Sequence, residues 1–284
     1  MRVAVTGSAG LFGSALADAF AARHTVLRLT RRHADLTDAQ ALRRALQQFP
    51  AELLVHSAAA RDPDRCEADP QMAAATNVEA TRNVVAAARA MGAAVVYIST
   101  DAVFDGLKNS PYTESDAPAP LSVYGRTKLQ AEHLVRELDR WWIFRMPVLF
   151  GPAGKDFVRS GLQALVAGRE PPVASDQVAC AAYTLEAAHK IREVVEASAM
   201  GLFHLSNRGA CSRVDLLRRA AELAGLDPSL VQGKMMDELQ RAGPRPKYAV
   251  MKMEALHERG FSLPRTWQEA LADYLSTFPF TASP

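Results

Sequence analysis

The chain has 284 residues, of which 49% are hydrophobic and 23% charged, and its net charge is +2. This composition is typical of a globular protein with a sizeable core, and it excludes a disordered, collagen-like or disulfide-stapled chain. It also leaves no global charge that would draw the protein to nucleic acid or to an anionic membrane.

Strands and helices are predicted to alternate along the first 150 residues. Short apolar runs predict strands at 3–5, 26–29, 53–56, 95–98 and 142–145. The segments between them predict helices over 14–23, 38–49, 72–91 and 124–137. This alternation is typical of an α/β fold with a doubly wound parallel sheet, because right-handed crossovers place helices on both faces. Ligands bind such sheets beyond the carboxyl ends of the strands.

The pattern changes after residue 150, where Gly and Pro clusters interrupt the chain. Shorter elements follow, with helices predicted over 184–196, 212–225 and 267–275 and a strand over 202–205. We therefore predict two parts. The dinucleotide-binding domain comprises residues 1–151 plus about 178–206, and a smaller substrate-binding lobe comprises residues 152–177 plus 207–284.

Three glycines, Gly7, Gly10 and Gly13, follow the first predicted strand and open the first predicted helix. Without side chains, this segment allows a pyrophosphate to approach the backbone, and the helix N-terminus offers free N–H groups with a partial positive charge. The order of strand, glycines and helix predicts a dinucleotide site. A purely structural turn is the alternative.

The second predicted strand leads into Arg31 and Arg32. An NAD site would place an acidic residue near this point to bind the ribose hydroxyls, whereas guanidinium groups suit a 2′-phosphate. We therefore favour NADP as the cofactor, with NAD and a solvated basic turn as the alternatives. Asp35 fits either a contact near the adenine or a role in capping a helix.

Tyr124 and Lys128 are four residues apart on a predicted helix, so they share one face. A nearby ammonium group lowers the pKa of a phenol from its usual value of about 10, which would let Tyr124 exchange a proton with a carbonyl or alcohol. Thr100 follows the fourth predicted strand and could hydrogen-bond the same oxygen. Together these residues predict a catalytic site for hydride transfer, although Tyr124 and Lys128 alone would also fit a surface pair.

These motifs resemble those of the extended short-chain dehydrogenase/reductases, and among them the dTDP-4-dehydrorhamnose reductases and their relatives. The resemblance rests on T-G-S-A-G-L-F-G at 6–13, S-T-D-A-V-F-D-G at 99–106 and Y-G-R-T-K at 124–128. It implies a cytoplasmic enzyme that uses NADPH to reduce the keto group of a nucleotide-linked 4-keto-6-deoxy sugar. Tyr124 would relay the proton, assisted by Thr100 and Lys128.

The resemblance also implies which residues hold the ligands. The cofactor contacts would be Gly7, Gly10, Leu11, Phe12, Gly13, Arg31, Arg32, Asp35, Leu36, Ser57, Ala58, Ala59, Arg61, Tyr124 and Lys128. The nucleotide-sugar would lie under the C-terminal lobe, against Asp101, Ala102, Val103, Phe104 and Arg245. The planar fork of Arg245 suits a diphosphate, with a solvated loop as the alternative. The helices that begin near 72 and 124 would pair two subunits in a homodimer.

Two segments depart from the family pattern. Ala102 stands where the reductases usually carry the tyrosine of S-T-D-Y, and residues 176–182 read D-Q-V-A-C-A-A where the family usually has D-Q-x-G-x-P-T. Both changes concern the sugar pocket more than the redox chemistry.

Two other functions remain open at this point. Motifs at 58–64 and 118–129 also resemble the regulatory beta subunit of methionine adenosyltransferase, which implies a non-catalytic NADP-binding partner subunit. A nucleotide-sugar epimerase or dehydratase is a third hypothesis, but Ala102 leaves the usual acidic pair after Thr100 incomplete.

Features of other protein classes are not expected. The seven histidines have no metal-ligand spacing, and the three cysteines lie far apart without a C-x-x-C pair. We therefore expect no metal site and no disulfide framework, which fits a reducing cytosol. No apolar run reaches the ~18 residues of a membrane span, and the N-terminus does not resemble a signal peptide.

Overall fold

The computed structural model of the protein describes residues 1–280. In chain order, the strands are β1 (Arg2–Thr6), β2 (Thr25–Leu29), β3 (Leu53–His56), β4 (Ala94–Thr100), β5 (Trp141–Met146), β6 (Val148–Phe150), β7 (Val173–Ala174), β8 (Val178–Ala179), β9 (Ala181–Tyr183), β10 (Gly201–His204), β11 (Cys211–Ser212), β12 (Gly233–Lys234) and β13 (Tyr248–Ala249). The α-helices are α1 (Leu11–Ala21), α2 (Ala39–Gln47), α3 (Pro63–Ala68), α4 (Pro70–Ala74), α5 (Ala80–Met91), α6 (Val123–Val135), α7 (Phe157–Val166), α8 (Thr184–Glu196), α9 (Arg213–Leu223), α10 (Glu254–Glu258) and α11 (Trp267–Thr277).

Six parallel strands form the central sheet in the order β2-β1-β3-β4-β5-β10. The chain first runs outward from β1 to β2 and then crosses to β3 on the other side of β1. This reversal opens a crevice at the carboxyl ends of β1 and β3, where doubly wound sheets bind their ligands. The predicted α/β fold with a doubly wound parallel sheet is confirmed.

Both faces of the sheet are buried, because alternate residues of each strand enter different cores. Val3 and Val5 of β1 pack against α1 and α8, while Ala4 between them packs with α2, α5 and α6 on the opposite face. Strand β4 is buried along its whole length. This two-sided burial explains why the strands read as continuous apolar runs rather than as alternating patterns.

A second hydrophobic core forms between α7, α9 and α11. Its centre is a group of aromatic rings, in which Phe150 and Tyr183 stack with their centroids 5.6 Å apart and Tyr274 lies 5.7 Å from each. The short β11-β8-β13 sheet belongs to the same C-terminal region of the chain. This region covers the carboxyl edge of the central sheet and forms the second wall of the crevice.

The long helix predicted over 72–91 is interrupted by a π-helical turn (Ala75–Glu79) between α4 and α5. The turn carries Asn77, whose amide oxygen accepts a hydrogen bond from the Ala60 N–H at 2.8 Å and whose amide nitrogen donates to the Ala60 carbonyl at 3.1 Å. The same nitrogen donates to Thr127 Oγ1 on α6 at 3.0 Å. Asn77 therefore joins the loop after β3 to α6.

Among residues 1–280, we find no helix that combines the length and the apolar character needed to cross a lipid bilayer.

Candidate active site

A cleft of about 1650 Å³ lies between the carboxyl edge of the central sheet and the C-terminal region. Most residues that the sequence predicts to bind ligands line it, although they come from distant parts of the chain. They are Gly7, Gly10, Leu11, Phe12, Gly13, Arg31, Arg32, Asp35, Leu36, Ser57, Ala58, Ala59, Arg61, Thr100, Asp101, Ala102, Tyr124, Lys128 and Arg245.

The glycine loop forms one end of the cleft and has no room for side chains. Gly7 has a φ of +65°, and a Cβ atom there would lie 2.8 Å from the Ala58 nitrogen. A Cβ atom on Gly13 would lie 2.1 Å from the Gly7 carbonyl oxygen. Gly10 precedes the first turn of α1, which contains no acidic residue. The N–H groups of this turn have no partner within the helix, and they fit the pyrophosphate of a dinucleotide.

Two guanidinium groups, those of Arg31 and Arg32, lie on the rim of the cleft after β2. Both side chains are exposed. Within residues 1–280, neither guanidinium group donates a hydrogen bond to another residue. Nearby, Asp35 Oδ1 accepts hydrogen bonds from Thr37 N at 2.9 Å and Thr37 Oγ1 at 2.8 Å, which lower the pKa of the Asp35 carboxyl. Asp35 thus shapes the loop, and the two arginines remain free to contact a phosphate.

Thr100 and Tyr124 are brought together by close packing of two turns. Thr100 ends β4, and its Oγ1 accepts a hydrogen bond from Ala102 N at 3.2 Å. Tyr124 lies in the first turn of α6, which Ser122 caps through a hydrogen bond from Gly125 N at 3.1 Å. A Cβ atom on Gly125 would lie 2.2 Å from the Ala102 carbonyl oxygen, so glycine allows this approach.

Tyr124 holds its proton more tightly than the sequence predicts. Burial raises the pKa of the Tyr124 phenol to about 12, and the neighbouring Thr100 hydroxyl only partly opposes this effect. The expectation that Lys128 lowers this pKa is therefore not met. At neutral pH the phenol is protonated, which is the form that can donate a proton to a carbonyl oxygen.

Lys128, one helical turn after Tyr124, is only 3% exposed. Its Nζ donates a hydrogen bond to the Ile98 carbonyl at 2.6 Å and lies 4.1 Å from the centre of the Tyr97 ring. Burial lowers the pKa of Lys128 to about 7, and the Glu132 carboxylate opposes this shift. The ammonium group is thus directed towards β4, and this orientation explains why Tyr124 does not gain its full effect.

The predicted substrate contacts divide into two groups. Asp101 and Ala102 line the cleft, and burial raises the pKa of the Asp101 carboxyl to about 6. Val103 and Phe104 do not line it, because both are fully buried and Phe104 stacks on Tyr112 at 4.1 Å. This part of the prediction is therefore corrected: Val103 and Phe104 support the wall from behind.

Arg245 lines the cleft, but its guanidinium fork already has a partner. Its Nη1 and Nη2 donate to the two carboxylate oxygens of Asp64 at 2.6 and 2.9 Å. The hydrogen bond from Arg245 holds the pKa of the Asp64 carboxyl at about 2. The pair links the C-terminal region to α3, so Arg245 is not in a solvated loop, and contact of its fork with a diphosphate stays a prediction.

A second link crosses the other side of the cleft, where Arg61 Nη2 donates to the Lys155 carbonyl at 3.1 Å. Other residues that the sequence analysis did not single out also line the cleft, among them Phe157, Arg213 and Arg241. The Arg213 guanidinium lies 5.9 Å from the Phe157 ring. These residues follow no local motif, and only the tertiary fold brings them to the cleft.

The fold and this cleft define an oxidoreductase of the extended short-chain dehydrogenase/reductase class. Residues 1–279 match the family described as the RmlD substrate binding domain, and the chain belongs to that family. The resemblance predicted from the motifs is thus confirmed.

Several known proteins resemble the chain over nearly its whole length. It is 34% identical to dTDP-4-dehydrorhamnose reductase of Mycolicibacterium smegmatis, covering 96% of this chain and 84% of the relative. It is 32% identical to dTDP-4-keto-6-deoxy-D-glucose reductase of Streptomyces niveus, covering 95% of each. The crystal structure of dTDP-4-dehydrorhamnose reductase from Bacillus anthracis in complex with NADP is similar with a TM-score of 0.92 at 28% identity, covering 97% of this chain and 99% of that one.

Proposed function

We propose that the protein uses NADPH to reduce the keto group of a nucleotide-linked 4-keto-6-deoxy sugar. The observation that carries this proposal is the shared cleft, which is lined by Thr100 and Tyr124 as well as by the glycine loop. The names of the relatives support the substrate class, and the NADP complex of the structural neighbour supports the cofactor. The free guanidinium groups of Arg31 and Arg32 support NADP rather than NAD.

Each part of the cleft has a role in this reaction. The glycine loop and the N-terminus of α1 hold the pyrophosphate of the cofactor, and Ser57, Ala58 and Ala59 line its path. When bound, NADPH supplies the hydride for the carbonyl carbon. The Tyr124 hydroxyl donates its proton to the carbonyl oxygen, and Thr100 hydrogen-bonds the same oxygen. Before the proton is transferred, both hydroxyl groups stabilise the negative charge that develops on this oxygen as the hydride arrives.

The substrate lies between the turn after β4 and the C-terminal region. Asp101 and Ala102 contact the sugar, while Arg213 and Arg241, which also line the cleft, provide positive charge for the nucleotide part. The small side chain of Ala102 leaves this wall without the aromatic group that the family pattern predicts. The sugar accepted can therefore be bulkier on this side than in reductases with tyrosine at this position.

The direct test follows NADPH absorbance in the presence of a dTDP-linked 4-keto-6-deoxy sugar and identifies the product by NMR. We expect consumption of NADPH with reduction at the keto carbon, and much slower reaction of the same sugar without its nucleotide. NADPH binding without turnover on dTDP-, UDP- or GDP-linked keto sugars would contradict the proposal. It would favour the partner-subunit hypothesis instead.

Replacing Arg31 and Arg32 together with alanine is expected to weaken NADPH binding about tenfold or more and to leave NADH binding nearly unchanged. The reason is that a charge-assisted hydrogen bond to a phosphate contributes about 1.5–3 kcal/mol. The measurement is the Kd of each cofactor by titration.

A matched control removes the same charge from the exposed arginines Arg43 and Arg44 on α2. If this control weakens NADPH binding as much as the Arg31 and Arg32 change, the effect is due to overall charge. The proposed 2′-phosphate contact would then be wrong.

We further infer the domain division of residues 1–151 plus about 178–206, and 152–177 plus 207–284. Two contacts support the first part, because α8 packs on α1 and β10 pairs with β5. The second part is supported by the separate core that α7, α9 and α11 share. Leu256 of α10, however, packs into the core of the central sheet. The cysteines Cys66, Cys180 and Cys211 are buried free thiols, which suits a cytoplasmic enzyme. We also propose that the helices that begin near 72 and 124 pair two subunits in a homodimer.

A further inference from the structure

A buried ionic cluster lies directly behind Lys128. Glu132, one helical turn further along α6, is completely buried. Its Oε1 accepts hydrogen bonds from Ser99 Oγ at 2.5 Å and Arg145 Nε at 3.0 Å, and its Oε2 accepts one from Arg145 Nη2 at 2.9 Å. Ser99 immediately precedes Thr100, so this cluster connects α6, β4 and β5 beneath the catalytic residues.

Tyr97 forms the second surface against Lys128. Its side chain is 1% exposed, and the face of its ring lies 4.1 Å from Lys128 Nζ. The Tyr97 hydroxyl has no hydrogen-bond partner among the described residues. The contact with Lys128 is therefore made by the ring, whose negative face attracts a cation most strongly where water is excluded.

We propose that Tyr97 and Glu132 are positioning residues that hold Lys128 as a fixed ammonium group beneath Tyr124. Burial alone favours the neutral amine, because a charged group loses its hydration. The ring face and the carboxylate both favour the charged form, and the Ile98 carbonyl at 2.6 Å fixes its direction. An ammonium group has three donors, so two remain for a ligand in the cleft.

The other ionisable groups around Lys128 do not take over the role of Tyr97 and Glu132 in keeping the ammonium group charged. Burial and the charge of Lys128 lower the pKa of His56 on β3 to about 3, so His56 is neutral. Tyr124 is protonated near neutral pH. Arg145 on β5 already pairs with Glu132 and so reduces the attraction that the carboxylate exerts on Lys128. The ring of Tyr97 therefore has a substantial share in keeping the ammonium charged.

The first test measures the pKa of Lys128 in the unliganded protein by ¹³Cε NMR, with Lys128→Met to assign its signal. In Tyr97→Leu the ammonium loses the ring, so we expect its pKa to fall by about one unit from the wild-type value. In Tyr97→Phe the ring remains, and the wild-type pKa is expected. An unchanged pKa in Tyr97→Leu, or an equal fall in Tyr97→Phe, would overturn the proposal.

The second test uses the pH dependence of kcat/KM and rests on the proposed function. If the reaction requires charged Lys128, activity is lost as pH rises through its pKa. This alkaline limb is expected at lower pH in Tyr97→Leu and in Glu132→Gln, but not in Tyr97→Phe. If Tyr97 and Glu132 had a purely structural role, their replacement would reduce the stability of the protein and leave the alkaline limb at the wild-type pH.

The two tests separate the two proposals. Glu132→Gln leaves Arg145 without its charged partner and can fail to fold, so the Tyr97 variants are decisive. If the wild-type protein consumes no NADPH, the proposed function fails, and the NMR titration still decides whether Tyr97 holds the Lys128 charge.

Discussion

Replacing Tyr124 with phenylalanine is expected to lower kcat for ketone reduction by about two to four orders of magnitude, the usual contribution of a positioned acid. The phenol lies beside Thr100 at the carboxyl edge of β4, and its pKa of about 12 keeps it protonated at neutral pH. The change removes one oxygen atom and leaves the ring in place. NADPH affinity is therefore expected to change little, as measured by titration beside the turnover assay.

Tyr248→Phe is a suitable control because this tyrosine lies on β13, outside the cleft. Its hydroxyl can be removed with no expected effect on turnover. If Tyr124→Phe retains a rate close to that of the wild type, another group donates the proton. Asp101, whose pKa burial raises to about 6, would then be the first candidate.

Breaking the buried pair between Glu132 and Arg145 is expected to cost about 3–5 kcal/mol of unfolding free energy. Both side chains are at most 1% exposed, so Arg145→Met leaves a buried carboxylate and Glu132→Leu leaves a buried guanidinium. The expected cost of each single variant is a large part of the 5–15 kcal/mol that is the typical free energy of unfolding of a folded domain. The double variant removes both charges and is expected to lose much less than the sum of the single changes.

Denaturant unfolding of the two single variants and the double variant measures this coupling. The exposed pair of Arg82 and Glu79 on neighbouring turns, with 54% exposure each, is the comparison. Breaking that pair is expected to cost no more than about 1 kcal/mol. Equal losses from the buried and the exposed pair would show that the cluster behind Lys128 contributes little to stability.

The sequence predicted the features that depend on local patterns. The helix over 184–196 has the predicted bounds, and the strand expected at 202–205 is found as β10 at the edge of the sheet. The glycine loop was also predicted, because its order of strand, glycines and helix is contained in 13 residues. Such elements follow from apolar periodicity and from the conformations that glycine allows.

The features that the sequence did not predict depend on contacts between distant segments. The π-helical turn at Asn77 is tied to the contact of this side chain with Ala60, which lies 17 residues earlier. The pKa of Tyr124 depends on burial, which no spacing to Lys128 reveals. Phe104 follows Thr100, a predicted catalytic residue, closely in the chain, yet a 3-10 turn directs it into the core.

The pairing of Arg245 with Asp64 makes two residues 181 positions apart dependent on each other. Asp64 belongs to α3 beside the central sheet, whereas Arg245 belongs to the C-terminal region that covers the carboxyl edge of the sheet. A C-terminal region grafted from a relative onto this sheet to alter sugar preference keeps this link only if it carries an arginine at this point. A graft without it would leave an unmatched carboxylate at the mouth of the cleft. Exchange of sugar specificity is thus constrained by a residue that need not touch the sugar.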